Sequence, residues 1–404
     1  MRWRIEEGRI GPDRARQAER CNLPMILYVT RKFPPQVGGM ETFSYHLSRE
    51  LARRVPVRLV AWPRSQKTLP RFGITIVGEF ARLARAKAPI SLVYFGDALS
   101  AFAAPLAAHF FPEVPRVATA HGLDVTYPPV FYQWSIRQVL GKLDRVICDS
   151  AAGAAECRER GVPIASCPII PLGVDVRSAL PRTPQVQLDA RRALADVIGL
   201  CPLDGPLLLT VGRLVRRKGV AWFIDEVLPD VLKRHPTATY LIAGDGPERE
   251  RILVLARERG VGERCRLLGR VSPSTRDLLY QAADLFVMPN VPVPGDVEGF
   301  GLVALEANVA GLWVVAAAVD GVVEAVTGES GLLLPPRQAD QWREQISSLL
   351  ADRAHCLARG TVAQEQAIAR HGWATVAERY LRVFEEVQPA MARAGERRGE
   401  GDGR

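Results

Sequence analysis

Short apolar runs alternate with amphipathic stretches along the first half of the chain. Seven such runs occur before residue 176: Met25–Thr30, Val57–Ala61, Ile74–Val77, Ile90–Phe95, Arg116–Ala120, Val146–Cys148 and Ile169–Leu172. Helical periodicity marks the stretches between several of them, among them Thr42–Arg54, Ala98–Phe110 and Ala151–Arg160. Continuous apolar strands that alternate with amphipathic helices predict a parallel sheet with helices on both faces.

The same alternation begins again after a polar, proline-bearing stretch. The strands predicted there are Leu207–Val211, Thr239–Ala243, Arg266–Leu268, Leu285–Met288, Trp313–Ala316 and Gly331–Leu334. The helices include Val220–Lys233, Pro247–Arg259 and Phe300–Val309. The predicted fold is therefore α/β, with two Rossmann-like doubly wound domains facing each other across a cleft. Ligands of such sheets bind beyond the carboxyl ends of the strands, so the loops after strands are where we expect the chemistry.

A length of 404 residues fits two domains. The predicted segments are a polar extension at 1–22, a first domain at 23–175, a linker at 176–205, a second domain at 206–370, a helix at 371–388 and a disordered tail at 389–404. The tail is charged and rich in glycine, which favours disorder.

Composition excludes several classes of protein. Hydrophobic residues make up 48% and charged residues 24% of the chain, as in ordinary globular proteins. No window holds about 18 consecutive apolar residues, so a spanning helix is not expected, and the first 20 residues are too charged for a secretory signal. Seven cysteines without a Cys-x-x-Cys motif suggest neither a disulfide framework nor a zinc site, and fit a reducing cytoplasm.

The net charge of +9 lies entirely in the first half of the chain. Residues 1–175 hold 24 Lys and Arg against 15 Asp and Glu, whereas the remainder holds 29 of each. This imbalance indicates either an anionic partner, such as an acidic membrane surface, or simply a solvated basic surface. Nucleic acid is not expected, because no recognised binding motif accompanies the charge.

Two features of the first half are candidates for chemistry. The loop from Phe33 to Glu41 follows the first strand and contains Gly38 and Gly39, which either let backbone N–H groups approach an anion or simply form a tight turn. His121 follows a strand and is followed by a glycine. A histidine there either points into the cleft and acts at a reaction centre or is structural.

In the second half, two cations follow a strand and precede a helix. Arg213 and Lys218 lie five residues apart, after Gly212. Both side chains can converge on a phosphate near a helix N-terminus, although a solvated basic turn has the same composition.

The most informative motif joins two carboxylates, Glu298 and Glu306, around a Gly-x-Gly turn. Phe300, Gly301 and Leu302 lie between them, where the turn opens a helix whose first N–H groups favour anions. A carboxylate accepts hydrogen bonds from sugar or ribose hydroxyls. No Asp-x-Asp occurs in the sequence, so we expect no metal, and cations and amides would neutralise a diphosphate.

Taken together, these motifs resemble the retaining glycosyltransferases of family 4, which have the GT-B architecture. The resemblance covers about residues 24–388 and rests on FPPQVGG at 33–39, HG at 121–122, DSAAGA at 149–154, IIPLGVD at 169–175, GRLVRRKG at 212–219, GDGPE at 244–248, RLLGRVS at 266–272 and the Glu-x7-Glu pair. It departs from the family where Trp313 replaces the usual proline and where one glycine, Gly321, stands in place of a pair.

The resemblance implies transfer of a hexose from a nucleotide-sugar, as substrate and without a cofactor, with retention at the anomeric carbon. It implies that Arg213 and Lys218 hold the diphosphate and Glu298 the sugar, and that His121 contacts the sugar. It assigns the rest of the donor site to Gly38, Gly39, Gly212, Arg266, Leu268, Phe300, Gly301, Leu302 and Glu306. The final helix is expected to cross back onto the first domain.

The favoured donor is GDP-mannose, because the Phe33–Gly39 loop and the His-Gly pair resemble those of bacterial mannosyltransferases, with UDP-sugars as the alternative. The expected acceptor is a lipid-linked glycan, lipopolysaccharide or polysaccharide at the inner face of the plasma membrane, reached by a peripheral cytoplasmic enzyme. A sugar-nucleotide epimerase of the same fold and a non-catalytic nucleotide-sugar-binding scaffold are the competing interpretations.

Overall fold

The structure is a computed structural model that describes residues 23–36, 38–62, 69–176, 179–199, 204–296 and 300–388. The chain divides into two compact units. Unit 1 contains the described residues up to Gly173 together with those from Trp373 onward, and unit 2 runs from Val174 to Gly372. Both units are built on a parallel sheet.

Unit 1 contains a five-stranded sheet in the order β2-β1-β3-β4-β5. Its strands are β1 (Met25–Thr30), β2 (Val57–Ala61), β3 (Ile90–Phe95), β4 (Arg116–Ala120) and β5 (Arg145–Cys148). The helices that connect them are α1 (Gly39–Arg54), α2 (Leu69–Arg85), α3 (Ala104–Phe110), α4 (Leu123–Thr126), α5 (Val130–Leu140) and α6 (Ala151–Glu159), with 3-10 turns at Ser100–Ala103 and Ile164–Ser166.

Unit 2 contains a six-stranded sheet in the order β11-β10-β9-β6-β7-β8. Its strands are β6 (Leu207–Val211), β7 (Thr239–Ala243), β8 (Cys265–Gly269), β9 (Leu285–Met288), β10 (Trp313–Ala317) and β11 (Gly331–Leu334). Its helices are α7 (Pro184–Ile198), α8 (Val220–Trp222), α9 (Leu228–Arg234), α10 (Arg249–Glu258), α11 (Pro273–Ala282), α12 (Leu302–Val309), α13 (Val322–Ala325), α14 (Ala339–Ala351) and α15 (Arg353–His371). A 3-10 turn forms at Arg216–Lys218, and a π-helical turn at Phe223–Val227 joins α8 to α9.

The last helix, α16 (Trp373–Val387), packs in unit 1. Its buried residues Tyr380 and Phe384 lie against Tyr94 of β3, and Trp373 lies against Phe43 of α1. The other face of the sheet is covered by α2, α3, α5 and α6. Apolar side chains therefore cover both faces of the unit 1 sheet, which agrees with its nearly continuous apolar strands.

One strand prediction was wrong, because Ile74–Val77 lies inside α2. Phe72, Ile76 and Phe80 recur every four residues and pack in the core, which is the spacing of a helix face. Ile74 and Val77 are exposed by 73% and 45%. Adjacent apolar residues on two sides of a helix thus resemble the continuous run of a buried strand. The run Ile169–Leu172 likewise forms only an isolated bridge between Ile169 and Cys148.

The stretch 176–205, expected as a linker, contains α7 within unit 2. The Thr183 side chain caps this helix by accepting a hydrogen bond from the Val186 N–H. Arg191 on α7 forms a buried ion pair with Asp284 at 2.5 Å. The sequence of this stretch is polar because the buried face of α7 contains a charged residue, Arg191, as well as apolar residues. The helix was therefore predicted as a linker.

No helix in the described ranges has the length and apolar character needed to span a bilayer.

Candidate functional site

The strand order of unit 2 reverses between β6 and β9, because β7 and β8 continue on one side of β6 whereas β9 and β10 lie on the other. Such a switch point is where doubly wound sheets bind ligands. The loops that follow β6 and β9 are locked together there, since Val291 N–H donates to the Arg217 carbonyl at 2.9 Å. Gly219 has φ 66°, and a Cβ on it would lie 1.7 Å from the Pro289 carbonyl oxygen. Only glycine fits this position.

The carboxyl ends of β6, β7 and β8 are also tied through backbone. Gly212 N–H donates to the Ala243 carbonyl at 3.0 Å, and Gly244 N–H donates to the Gly269 carbonyl at 2.8 Å. A Cβ on Gly244 would lie 1.8 Å from the Gly212 carbonyl oxygen. The glycines at strand ends, which the sequence marked only weakly, thus form a continuous backbone platform.

The two predicted cations lie at this platform. The Lys218 side chain is directed toward Gly212, with Nζ 4.0 Å from the position that a Cβ on that glycine would occupy. Arg213 is exposed, and its guanidinium has no hydrogen bond or ion pair with any other described residue. An ammonium and a guanidinium beside side-chain-free backbone can bind a diphosphate.

Glu306 lies on the second turn of α12, where two side chains from α11 hold it. The Tyr280 hydroxyl donates to Glu306 Oε2 at 2.9 Å, and Arg276 Nη1 is 3.6 Å from Oε1. Burial, followed by the Glu306 charge, raises the pKa of Tyr280 well above its usual value. Burial lowers the pKa of Arg276, but the charges of Glu306, Tyr280 and Asp277 together with a hydrogen bond to Asp277 outweigh it, and the net direction is upward. The Glu306 carboxylate is thus oriented by a phenol and a guanidinium.

Helix α12 begins immediately after a left-handed glycine. Gly301 is its N-cap with φ 73°, and no side chain caps the helix. Phe300 is buried and Leu302 is half-buried. The first N–H groups of the helix, which lack partners within it, therefore offer donors to an anion. The other carboxylate of the pair, Glu298, lies outside the described residues.

Arg266 and Leu268 lie on β8, the edge strand beside β7. Both are half-buried. Leu268 is one residue from the carboxyl end of the strand and precedes Gly269, whose carbonyl accepts from the Gly244 N–H. Arg266 is near the beginning of the strand.

In unit 1, His121 follows β4 and is surrounded by acceptors. Its Nε2 is 3.1 Å from the Gly96 carbonyl oxygen and its Nδ1 is 3.5 Å from Asp149 Oδ2, with 6% of the side chain exposed. Burial alone lowers the pKa of this imidazole, but the hydrogen bond to Asp149 and the charges of Asp124, Asp149 and Asp97 raise it to about 9. The ring is therefore an imidazolium at neutral pH.

Gly38 and Gly39 lie at the N-terminus of α1. The Glu41 carboxylate folds over this end of the helix, since a Cβ on Gly38 would lie 2.3 Å from Glu41 Oε2. Lys32 Nζ binds the other oxygen of Glu41 at 3.0 Å. An acidic side chain in the first turn thus occupies part of the space where backbone donors were expected to meet an anion.

Sequence reasoning missed Tyr280, Arg276, Lys32 and Asp97. Asp97 is the second residue after β3 and binds Arg31 Nε at 3.0 Å and the Ser100 N–H at 2.9 Å. Its place at a strand end was a usable signal. Tyr280 and Arg276 lie within a helix, where the sequence offers no such signal. Within the described ranges, no three His, Cys, Asp or Glu side chains are grouped as metal ligands would be.

The chain matches two protein families, Glycosyltransferase Family 4 over residues 37–178 and Glycosyl transferases group 1 over residues 205–352. It is 29% identical over 385 residues to the GDP-mannose-dependent alpha-(1-6)-phosphatidylinositol monomannoside mannosyltransferase of Mycobacterium tuberculosis, covering 87% of this chain and 96% of that protein. It is 28% identical to the D-inositol 3-phosphate glycosyltransferase of Corynebacterium jeikeium, covering 90% of this chain and 95% of that one.

Solved structures with a similar fold include HepE from Anabaena in complex with UDP, with a TM-score of 0.68, 19% identity, and coverage of 90% of this chain and 100% of that one. Sucrose-phosphate synthase from Thermosynechococcus elongatus has a TM-score of 0.68, 24% identity, and coverage of 90% and 98%.

Proposed function

This chain belongs to glycosyltransferase family 4 and has the GT-B fold, and from that premise we propose that it moves mannose from GDP-mannose to a lipid-linked glycan, lipopolysaccharide or polysaccharide. That it is a hexosyltransferase using a nucleotide-sugar follows from the family. The choice of GDP-mannose is supported by the relative from Mycobacterium tuberculosis, which is named as GDP-mannose-dependent. UDP-sugars are the alternative, since HepE was solved with UDP-glucose as well as with UDP.

The observation that carries the proposal is the position of Lys218 and Arg213 at the switch point of unit 2. As the bond from the anomeric carbon to the donor phosphate breaks, negative charge grows on the leaving diphosphate. Fixed cations and amides that face this charge stabilise the transition state more than the ground state. In this scheme, the ammonium and guanidinium neutralise the diphosphate without a metal ion.

The remaining predicted residues bind and orient the donor. Glu306, held by Tyr280, accepts hydrogen bonds from the ribose hydroxyls, and the first N–H groups of α12 face the sugar or its phosphate. Glu298 holds the sugar hydroxyls. The backbone near Arg266–Leu268 faces the base, and Gly38 and Gly39 approach the pyrophosphate.

For His121 we propose a contact with the donor sugar. Both ring nitrogens already face protein acceptors, so Nε2 has to share its proton between the Gly96 carbonyl and a sugar hydroxyl, or exchange one for the other. The imidazolium charge, sustained by Asp149, then stands near the reacting carbon. This role makes His121 a charged contact and not a general base.

The proposed acceptor is bound at the surface of an anionic membrane. The charge of +9 in residues 1–175 supports this, because a basic surface is attracted to anionic lipid. The name of the mycobacterial relative also specifies a phosphatidylinositol-based acceptor.

The test is a transfer assay with the full chain, in which GDP-mannose, UDP-glucose, UDP-galactose or UDP-N-acetylglucosamine is incubated with a bacterial lipid extract. We expect GDP release together with an extracted lipid heavier by one hexose, linked with retained anomeric configuration by NMR. Release that needs no acceptor and yields a sugar isomer would establish the epimerase instead. Binding of a donor without any product would favour the scaffold.

A further inference from the structure

Four large apolar side chains are exposed together where α4 leads into α5. Tyr127 is exposed by 58%, Val130 by 85%, Phe131 by 78% and Trp134 by 61%, and the Phe131 and Trp134 rings stack at 6.2 Å. We call these four residues the aromatic patch. Single exposed apolar residues are ordinary, but four within one short segment, three of them aromatic, mark an interaction surface.

The patch is held outward by the packing of its own helix. Ile136, Val139 and Leu140 on the opposite side of α5 are buried in the unit 1 core. Gln133 Nε2 donates to the Val125 carbonyl at 2.9 Å and to the Tyr127 carbonyl at 2.7 Å. Since this end of α5 is fixed from within, its rings cannot turn inward without breaking those contacts.

The charged residues of the segment that carries the patch are all basic. No acidic residue occurs between Asp124 and Asp144, whereas Arg137 and Lys142 are both exposed in that segment. Tyrosine and tryptophan settle at the interface of a bilayer, and adjacent basic residues are attracted to anionic head groups. Aromatic rings on a segment whose exposed charged residues, Arg137 and Lys142, are basic therefore match an anionic lipid surface in both apolar and electrostatic character.

The patch also lies close to the predicted chemistry. Helix α4 begins two residues after His121, and Tyr132 on α5 donates a hydrogen bond back to the Asp124 carbonyl. A bilayer that received the patch would thus hold its head groups near the carboxyl end of β4.

We propose that the aromatic patch inserts into the interface of an anionic membrane and brings a lipid-linked acceptor to the enzyme. This rests on the proposed function only for the lipid nature of the acceptor, because membrane binding can be measured without transfer.

The test is co-sedimentation of the full chain with vesicles of phosphatidylcholine, alone or mixed with phosphatidylglycerol. We expect binding to the mixed vesicles, and a Phe131→Ser/Trp134→Ser variant should bind about tenfold more weakly. The matched control is Leu188→Ser/Val197→Ser, which removes two exposed apolar residues from α7 in unit 2. It should bind like the wild type.

A second variant, Trp134→Phe, keeps the patch apolar and aromatic but removes its tryptophan fluorescence. Trp134→Phe should retain vesicle binding and lose the blue shift of tryptophan fluorescence that accompanies it. Vesicle binding unchanged in the double serine variant, or a wild-type dimer in sedimentation velocity that this variant dissociates, would overturn the proposal. Donor binding, measured by thermal shift in the same variant, should be unaffected, so that failure of membrane docking is distinguished from failure of the donor site.

Discussion

The ammonium of Lys218, beside the bare backbone of Gly212, is the single group on which the proposed chemistry depends most. Lys218→Ala should lower the transfer rate by about a hundredfold to a thousandfold, the usual effect of removing one donor aimed at developing charge. Lys218 belongs to a 3-10 turn without buried residues, so the melting temperature should stay near the wild-type value. Steady-state assays beside thermal unfolding check both statements.

The matched control for this substitution is Arg216→Ala, which removes an exposed cation from the same 3-10 turn. It should leave the rate within a factor of about two, because an exposed charge contributes little. Equal losses in the two variants would show that the turn acts only through its general positive charge.

A substitution at Tyr280 tests the proposal that Glu306 binds the ribose hydroxyls of the nucleotide. Tyr280→Phe removes the hydroxyl that donates to Glu306 Oε2, so the carboxylate should lose its orientation and nucleotide affinity should fall by about 1 kcal/mol. The fall should be seen with GDP and be absent with 2′,3′-dideoxy-GDP, which lacks the ribose hydroxyls. Calorimetric titration of both nucleotides measures the difference, and an equal loss for both would separate Tyr280 from ribose binding.

The raised pKa of His121 predicts that the stability of unit 1 depends on pH. That pKa is about 9 in the folded protein, above the ordinary value of 6.5. The folded state therefore holds this proton more tightly, and the stabilisation is complete below about pH 6.5 and is lost as the pH rises through 9. Thermal unfolding between these limits should show a decline that His121→Gln lacks. Parallel curves for the two proteins would refute the imidazolium assignment.

At the scale of residues, the sequence predicted the positions of the candidate site residues better than it predicted the side chains that orient them. Lys218 and Arg213 could be found because they follow a strand, and strand ends meet at one edge of a sheet. Tyr280 and Arg276 could not, because their contact with Glu306 joins two helices that are distant in sequence. A side chain's partner across helices depends on tertiary packing, which local pattern does not specify.

At the scale of elements, two left-handed glycines allow a controlled test of the loop after β6. Gly219 and Gly199 both have φ 66°, but a Cβ would be 1.7 Å from the Pro289 carbonyl oxygen at Gly219 and would meet nothing within 4 Å at Gly199. Gly199→Ala should cost about 1 to 2 kcal/mol for backbone strain alone. Gly219→Ala should cost more and also abolish nucleotide binding, because the loop that carries Lys218 must shift.

Denaturant unfolding with a parallel nucleotide titration distinguishes these two variants. A Gly219→Ala protein that binds nucleotide as tightly as the Gly199→Ala protein would contradict the account of the two locked loops.

Strands and helices were predicted correctly where the hydrophobic pattern of the segment fitted only one type of element. The bounds of β6, β7, β9 and β11 agree with the predicted ranges. Of these, β6, β7 and β9 are central strands, which are apolar throughout in a parallel sheet. The prediction failed at Ile74–Val77, where a helix carries apolar residues on its exposed side as well. It also missed α7, whose buried face includes Arg191.

For the whole molecule, the absence of any Asp-x-Asp in the sequence predicts that EDTA leaves the transfer rate unchanged. Arg213, Lys218 and backbone amides would supply the positive potential that a divalent ion supplies elsewhere. Rates with EDTA and with added manganese decide this. Complete loss with EDTA that manganese restores would show that these cations do not suffice.

The division of the chain into two sheet-based units agrees with the tandem α/β pattern in the sequence. The return of α16 to unit 1 was predicted only through family resemblance, since the hydrophobic pattern of Trp373–Val387 identifies a helix but not its partner. Its burial against Tyr94 and Phe43 supplies that partner.

The most direct test of the central claim compares nucleotide binding by the wild type and by the Lys218→Ala variant. Binding is measured as the shift in melting temperature, without metal. A ligand that binds only the folded state raises the melting temperature by mass action. We predict a rise with GDP that exceeds those with UDP and ADP in the wild type and that disappears in Lys218→Ala. No rise with any nucleotide, or an equal rise in both proteins, would contradict a diphosphate site built on Lys218.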